Sequence, residues 1–162
     1  MSSQKPDSAT ELYEEYKNVI SHHGDYINKL KGKVSAIVVK KQLVSFMNDV
    51  KWLELQHAVK GLSFPPPYIL RCVTDGDDIA ESSLEKAPRW IGDWSNYYNE
   101  GMPPLFNIEW IKVRPQLSKY RGRLVEDEVI DKTEAFRVIL NHLNIPYDEK
   151  DNIFTIYGYK RP

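Results

Sequence analysis

FNIEWIKVRP, at residues 106–115, sets the fold class. Phe106, Ile108 and Trp110 alternate with Asn107, Glu109 and Ile111, the two-residue period of a strand with unlike faces, and Arg114-Pro115 closes it. The same alternation recurs on either side. Tyr68 to Thr74 sets Tyr68, Leu70 and Cys72 on one face and Ile69, Arg71 and Val73 on the other. Ile153 to Tyr159 sets Ile153, Thr155 and Tyr157 against Phe154 and Ile156. Alternation, in place of continuous apolar runs, predicts antiparallel strands with one face covered. The class is therefore α+β: a small antiparallel sheet of three to five strands packed against helices, with an N-terminal helical segment.

The cover comes mostly from the first third. Ser8 and Glu11 form a capping box, after which Leu12, Tyr16, Val19, Ile20, His23, Ile27 and Leu30 follow at helical spacing. Gly32 is the predicted stop, and Gly24-Asp25 the one place where the run can break. Ser35 opens a second helix with Val39, Leu43, Phe46 and Met47 inward, and Asn48-Asp49 ends it and caps a third. That third helix carries the stripe Trp52, Leu55, Val59 and Leu62 and stops at Gly61. Asp131 with Glu134 opens a last helix whose inner face is Phe136, Ile139, Leu140 and Leu143. Phe64-Pro65-Pro66-Pro67 is a stiff extended connector, residues 75–100 a long loop and 116–130 a turn-rich segment. Residues 1–8 are expected to be a flexible N-terminus. Residues 9–162 then form a single domain, helical over 9–62 and sheet-containing over 63–162.

Composition removes several classes. No apolar run in the 162 residues approaches the roughly 20 that span a membrane, and the first residues lack a signal peptide's apolar stretch. Lys and Arg number 22 against 23 Asp and Glu, a net charge of -1, which gives no global attraction to polyanions. One cysteine excludes an internal disulfide and a Cys-rich metal site, and suits a reducing cytoplasm. No HExxH, G-x-S-x-G, Walker loop or G-x-G-x-x-G occurs, so no catalytic residue, metal ligand or cofactor is expected. His23 reads as a core residue, and Cys72, alternating with apolar neighbours, as a buried inert thiol. Glu109 stands alone as a carboxylate without a second one at a diagnostic spacing.

Charge is segregated along the chain. Residues 75–100 carry seven acidic and two basic groups, with tryptophans at both ends of Trp90-Ile91-Gly92-Asp93-Trp94. Acid groups steer association and aromatics anchor it, so Asp75, Asp77, Asp78, Glu81, Trp90, Asp93, Trp94, Tyr97 and Tyr98 form the candidate partner-binding set. At least one of the two tryptophans is expected in the core, with Asp93 a buried acceptor holding the loop down. Lys112, Arg114, Lys119, Arg121 and Arg123 follow with no acid among them. Arg114, Lys119, Arg121 and Arg123 are therefore the candidate anion-binding set, their guanidiniums suited to phosphate oxygens. Pairing with Glu126, Asp127, Glu128 and Asp131 is the competing and preferred expectation.

Phe64-Pro65-Pro66-Pro67, Trp90-Ile91-Gly92-Asp93-Trp94, Glu109-Trp110-Ile111, Arg121-Gly122-Arg123-Leu124-Val125, Asp127-Glu128-Val129 and Ile156-Tyr157-Gly158-Tyr159 together resemble a family of small bacterial proteins of unknown function, over roughly residues 37–160. The resemblance implies a bacterial, cytoplasmic, single-domain protein and carries no activity with it. Small families of this type are often immunity proteins. The expectation is a non-catalytic protein-binding module that neutralises a cognate protein toxin by occluding it, without contact with membranes and with nucleic acid a poor partner. The alternative is a nucleotide- or nucleic-acid-binding regulator using the cluster 112–123.

Overall fold

The three expected strands lie in one antiparallel sheet, with a fourth at its edge. The computed structural model describes residues 9–76, 84–96 and 101–162. In chain order it contains α1 (Ala9–His22), α2 (Gly24–Lys40), β1 (Val44–Ser45), α3 (Asp49–Val59) and β2 (Tyr68–Cys72). A 3-10 turn (Leu105–Asn107) leads into β3 (Ile108–Val113), followed by β4 (Gln116–Lys119), β5 (Glu128–Asp131) and α4 (Thr133–His142). β6 (Asp148–Lys150), β7 (Ile153–Tyr157) and β8 (Tyr159–Lys160) complete it. The main sheet has the order β2-β3-β7-β6, and two small ladders join β1 to β8 and β4 to β5, all antiparallel. The α+β class holds.

One face of the sheet carries the main core. Ile111, Val113, Phe154 and Ile156 are buried and meet Trp52, Leu55 and Val59 of α3 and Phe136 and Leu140 of α4. Phe136 meets Phe154 edge-on, with centroids 5.1 Å apart at 71°. Leu12 and Tyr16 of α1 close the same core, the Tyr16 hydroxyl accepting from the Leu105 amide at 3.2 Å. α2 is separate. Its Leu30 and Val34 pack with Val73, Phe106 and Tyr159 in a second, smaller cluster.

β3 departs from strict alternation. A register shift at Arg71/Cys72 puts Cys72 opposite Ile108 and Arg71 opposite Trp110, so Ile108 and Ile111, three apart, both face the core. Trp110 is turned outward under the Lys112 ammonium, 5.0 Å from its centroid, and Phe106 belongs to the 3-10 turn and not to a strand. β7 keeps the expected alternation, Phe154 and Ile156 being inward.

The helical third required most correction. The run from Leu12 to Leu30 breaks at His23, which is exposed between α1 and α2 and is not a core residue. Gly32 stops nothing and Ser35 caps nothing, since α2 runs through both to Lys40. It ends where Gln42 adopts φ 56° and the Leu43 amide donates to the Val38 carbonyl, a Schellman closure. Val39 is 77% exposed, Val44 and Ser45 form β1, and Phe46 is exposed. Of that expected inner face, Met47 alone is buried. Asn48 does cap α3, its Oδ1 accepting from the Lys51 amide at 2.8 Å. Ser8 lies outside the described residues. Asp131 reaches the start of α4 by taking the Thr133 amide at 2.9 Å, while Glu134 pairs with Arg137 and closes no capping box.

Three further strands, β4, β5 and β6, have no alternating signature in the sequence. β4 and β5 form a hairpin within what reads as turns. β6 is an edge strand made wholly of charged residues, joined to β7 through Asp151 and Asn152 at φ 52° and 65°. Charge on an edge blocks sheet-to-sheet pairing, and positive φ at both central residues suits the tight hairpin turn.

Candidate functional site

The proline connector organises the aromatic loop. Prolines donate nothing but keep their carbonyls, and the loop uses them. The Gly92 amide donates to the Pro65 carbonyl at 3.2 Å, and the Trp94 indole N–H to the Pro66 carbonyl at 2.8 Å. The Tyr68 hydroxyl donates to the Asp93 carbonyl, and its ring meets Trp94 edge-on at 5.1 Å. Trp94 is buried in the main core. Asp93 is exposed, its carboxylate accepting from the Ser95 amide at 2.9 Å, so the loop is held by the Asp93 backbone and not by a buried side chain. Trp90 remains 42% and Ile91 55% exposed.

The segment before those two is strapped to the β4–β5 hairpin. Arg89 forks onto Asp127 at 2.7 and 3.2 Å, Asp127 also accepts from Ser118 Oγ at 2.7 Å, and the Ser118 amide donates to the Pro88 carbonyl at 2.7 Å. Arg89 further stacks over the Tyr120 ring, 5.3 Å from its centroid. The Arg89 and Ser118 hydrogen bonds hold the Asp127 carboxyl below the usual carboxylate range. Arg114 braces the strap from below, donating to Gln116 Oε1 at 2.8 Å and to the carbonyls of Leu84 and Glu85 at 2.9 and 3.0 Å.

That arrangement revises the expected pairing of the basic cluster. Asp127 takes Arg89 from outside the run, Asp131 takes Thr133, and Arg114 is spent on loop carbonyls. Lys119, Arg121 and Arg123 are exposed, and among the described residues no acid pairs with them. Leu124 beside them is 96% exposed, and Tyr120, Val125 and Val129 are exposed too. The strap thus brings the Trp90-Ile91 segment and the hairpin, with its four exposed apolar side chains, to one place. In the sequence they read as two separate candidate sites. Asp75 lies elsewhere, its carboxylate accepting from the Cys72 amide at 2.8 Å. Asp77, Asp78, Glu81, Tyr97 and Tyr98 lie outside the described residues.

Glu109 is engaged structurally. Arg71 Nε donates to its Oε2 at 2.7 Å, with side chains only 9% and 17% exposed. Arg114 follows just past the end of β3 and gives its guanidinium to Gln116 and the Leu84 and Glu85 carbonyls, so it shares no partner with Glu109. Cys72 is half-buried, its thiol pushed up to about 12 by burial and then by the Asp75 charge, which keeps it protonated. Among the described residues no three His, Cys, Asp or Glu side chains gather as a metal-holding group, and no helix is long and apolar enough to cross a membrane.

A cleft of about 430 Å³ opens on another side, and nothing in the sequence signalled it. Tyr13 of α1, Met47 to Val50 and Trp52, Leu105 and Phe106 of the 3-10 turn, and Gly158-Tyr159 line it. The Tyr159 hydroxyl donates to the Phe106 carbonyl at 2.7 Å. Asp49, the first residue of α3, is half-buried here, and its carboxylate takes no hydrogen bond among the described residues. Burial holds its carboxyl above the usual range, with the Lys31 charge pulling the other way. Lys31 of α2 is exposed, its ammonium 5.5 Å from the Phe106 centroid.

Residues 34–162 match the model of a family described as a family of unknown function (DUF6678). No curated protein and no solved structure matches the chain.

Proposed function

The chain belongs to DUF6678, and from that premise we propose that it is a non-catalytic protein-binding module, most concretely a cytoplasmic immunity protein that binds and occludes a cognate toxin. One observation carries the reading: the strap of Arg89, Asp127 and Ser118 joins the exposed Trp90-Ile91 pair to a hairpin bearing exposed Tyr120, Leu124, Val125 and Val129. A hydrophobic residue such as Leu124, almost wholly in solvent, has no role in holding this fold together. Trp, Tyr and Arg are the residue types that dominate binding energy in protein interfaces. The flanks carry both signs, Lys119, Arg121 and Arg123 on one arm and Glu126 and Glu128 on the other, which favours a mixed-charge protein rim over a uniform polyanion.

The test mixes the purified chain with the protein products of genes neighbouring its own and measures binding calorimetrically. A complex is expected, together with relief of growth arrest when the two are co-expressed. Trp90→Ala with Leu124→Ala should weaken it by about 100-fold, since two anchors each cost roughly 1–2 kcal/mol. Absence of any complex with those products overturns the reading. The nucleotide- or nucleic-acid-binding alternative has one observation in its favour, Tyr120 standing between exposed Lys119 and Arg121. It requires RNA, DNA or mononucleotide binding at low salt that falls on Arg121→Ala and Arg123→Ala.

A further inference from the structure

The core covers only one face of the main sheet. On the opposite face Trp110 stands directly across from Tyr157, and Lys112 from Thr155, on the two central strands β3 and β7. These four alternate with Ile111, Val113, Phe154 and Ile156, all buried, and none of the four belongs to either hydrophobic cluster. We propose that this open face binds single-stranded nucleic acid, with bases stacked on Trp110 and Tyr157 and phosphates held by Lys112, Lys160 and Arg161.

Three observations support that ligand. Trp110 and Tyr157 are half-buried side chains on neighbouring strands, about 4.8 Å apart, and so present adjacent platforms to neighbouring bases. Unpaired bases have free faces to lay on such rings, whereas bases inside a duplex do not. Each ring also carries a cation: the Lys112 ammonium is 5.0 Å from the Trp110 centroid, and the Lys160 ammonium 4.8 Å from that of Tyr157. An ammonium near water is held over a ring more weakly than a stacked base, so the lysines yield the rings and turn to the phosphates. A hollow of about 230 Å³ continues the face beyond Tyr157, with Phe46, Tyr147, Lys160 and Arg161 among its lining. It has room for one further base beside two cations.

Local charge favours a polyanion over an apolar protein partner. Among the described residues no acid pairs with Lys112, Lys160 or Arg161. Glu109, next to Trp110, is taken by Arg71 at 2.7 Å. Asp148 lies on the edge strand across from Thr155, and Lys150 on the same strand offsets it. The face is thus cationic although the whole chain has a net charge of -1. That net charge gives little long-range attraction, so stacking supplies most of the affinity and the salt dependence is shallow.

None of these residues belongs to the strap or the hairpin, so binding here is separable from a toxin complex and from the Arg121 and Arg123 alternative. The test titrates the full chain into fluorescently labelled oligo-uridylate and oligo-thymidylate of about ten nucleotides at about 25 mM salt, read by anisotropy. Saturable binding of at least one is expected below about 100 μM, at least about tenfold tighter than binding of a duplex of the same length. Trp110→Ala and Tyr157→Ala should each weaken it about tenfold, the loss of one stack, while Tyr157→Phe keeps the ring and stays within about twofold. Lys112→Gln with Lys160→Gln should reduce the slope of log affinity against log salt by about 1.4, roughly 0.7 for each phosphate contact. That pair reads the same site without removing either ring, should Tyr157→Ala disturb the sheet. Arg121→Ala with Arg123→Ala should leave affinity within about twofold, which separates this face from the hairpin. No binding of either oligomer below about 100 μM overturns the proposal. So does a duplex bound as tightly, an affinity that Trp110→Ala leaves unchanged, or one that the Arg121 and Arg123 substitutions abolish.

Discussion

Two glycines of this chain should respond to the same substitution with opposite signs. Gly158 lies between β7 and β8, its amide donating to the Glu109 carbonyl at 2.8 Å and its carbonyl accepting from the Phe46 amide at 2.9 Å. A Cβ placed there overlaps the Ile108 carbonyl oxygen and stands 3.1 Å from the Ile108 carbonyl carbon. Both are backbone atoms of a central strand, so no rotamer change relieves the overlap and the β8 segment must move away. Displacement sacrifices the two hydrogen bonds, about 1 kcal/mol each, and leaves strain of about 1–3 kcal/mol, so Gly158→Ala should cost about 3–5 kcal/mol. Gly32 is the counterpart. It lies inside α2, exposed, with nothing within 4 Å of a new Cβ, so Gly32→Ala should stabilise by about 1 kcal/mol. With a urea slope of about 2 kcal/mol/M, the midpoint should fall by roughly 1.5–2.5 M for the first variant and rise by roughly 0.5 M for the second. Urea unfolding followed by tryptophan fluorescence and by far-ultraviolet circular dichroism reads both. The reasoning fails if Gly158→Ala stays within about 0.3 M of the parent, or if both midpoints move the same way.

Removing Arg71 as Arg71→Met strands the nearly buried Glu109 carboxylate, and unfolding should show a loss of about 3 kcal/mol; a loss below about 1 kcal/mol contradicts the placement of that pair. The Cys72 thiol, raised to about 12, should react with a disulfide reagent at pH 8 far more slowly in the folded chain than in urea, and equal rates would refute its burial. Asp127, Asp131 and Glu149 are each held below the usual carboxylate range, chiefly by hydrogen bonds from Arg89, Thr133 and Arg137 respectively. Their contribution is complete above the unfolded values near pH 4 and is lost as pH falls through the lower folded ones. Acid unfolding should therefore begin below about pH 4, and Asp127→Asn, which cannot titrate, should flatten that limb while the pH slope near pH 7 stays unchanged.

Much of the sheet was legible because burial on one face leaves a two-residue imprint. Phe154 and Ile156 are inward for that reason, and the stripe of α4 repeats the logic at helical spacing. The failures are equally physical. In β3 the bulge changes which residues face the core, and alternation alone cannot show where a register shift falls. β6 carries no apolar residue to read. In α2 the stop comes from Gln42 in a left-handed conformation, while Gly32, the residue that favours that conformation, is plain helix. Arg114 illustrates the limit at the candidate site. Its charge was visible in the chain, but whether it faced a ligand or the carbonyls of Leu84 and Glu85 depended on a contact 29 and 30 residues away. The cleft left no imprint because its lining comes from four separated stretches, and only the fold brings Asp49, Phe106 and Tyr159 together.

The strand order β2-β3-β7-β6 also bears on how this chain emerges from a ribosome. β7, residues 153–157, sits inside the sheet and supplies Phe154 and Ile156 to the centre of the core, yet it is synthesised after every helix that covers it. Until it arrives, α1, α3 and α4 have half a floor, and Trp52, Leu55, Phe136 and Leu140 face water or whatever else is at hand. The contacts that complete the core therefore span long sequence separations, a topology that favours slow folding. Until β7 is made, the nascent chain carries that apolar surface uncovered, the period in which a chaperone or a neighbouring nascent chain has the most to hold.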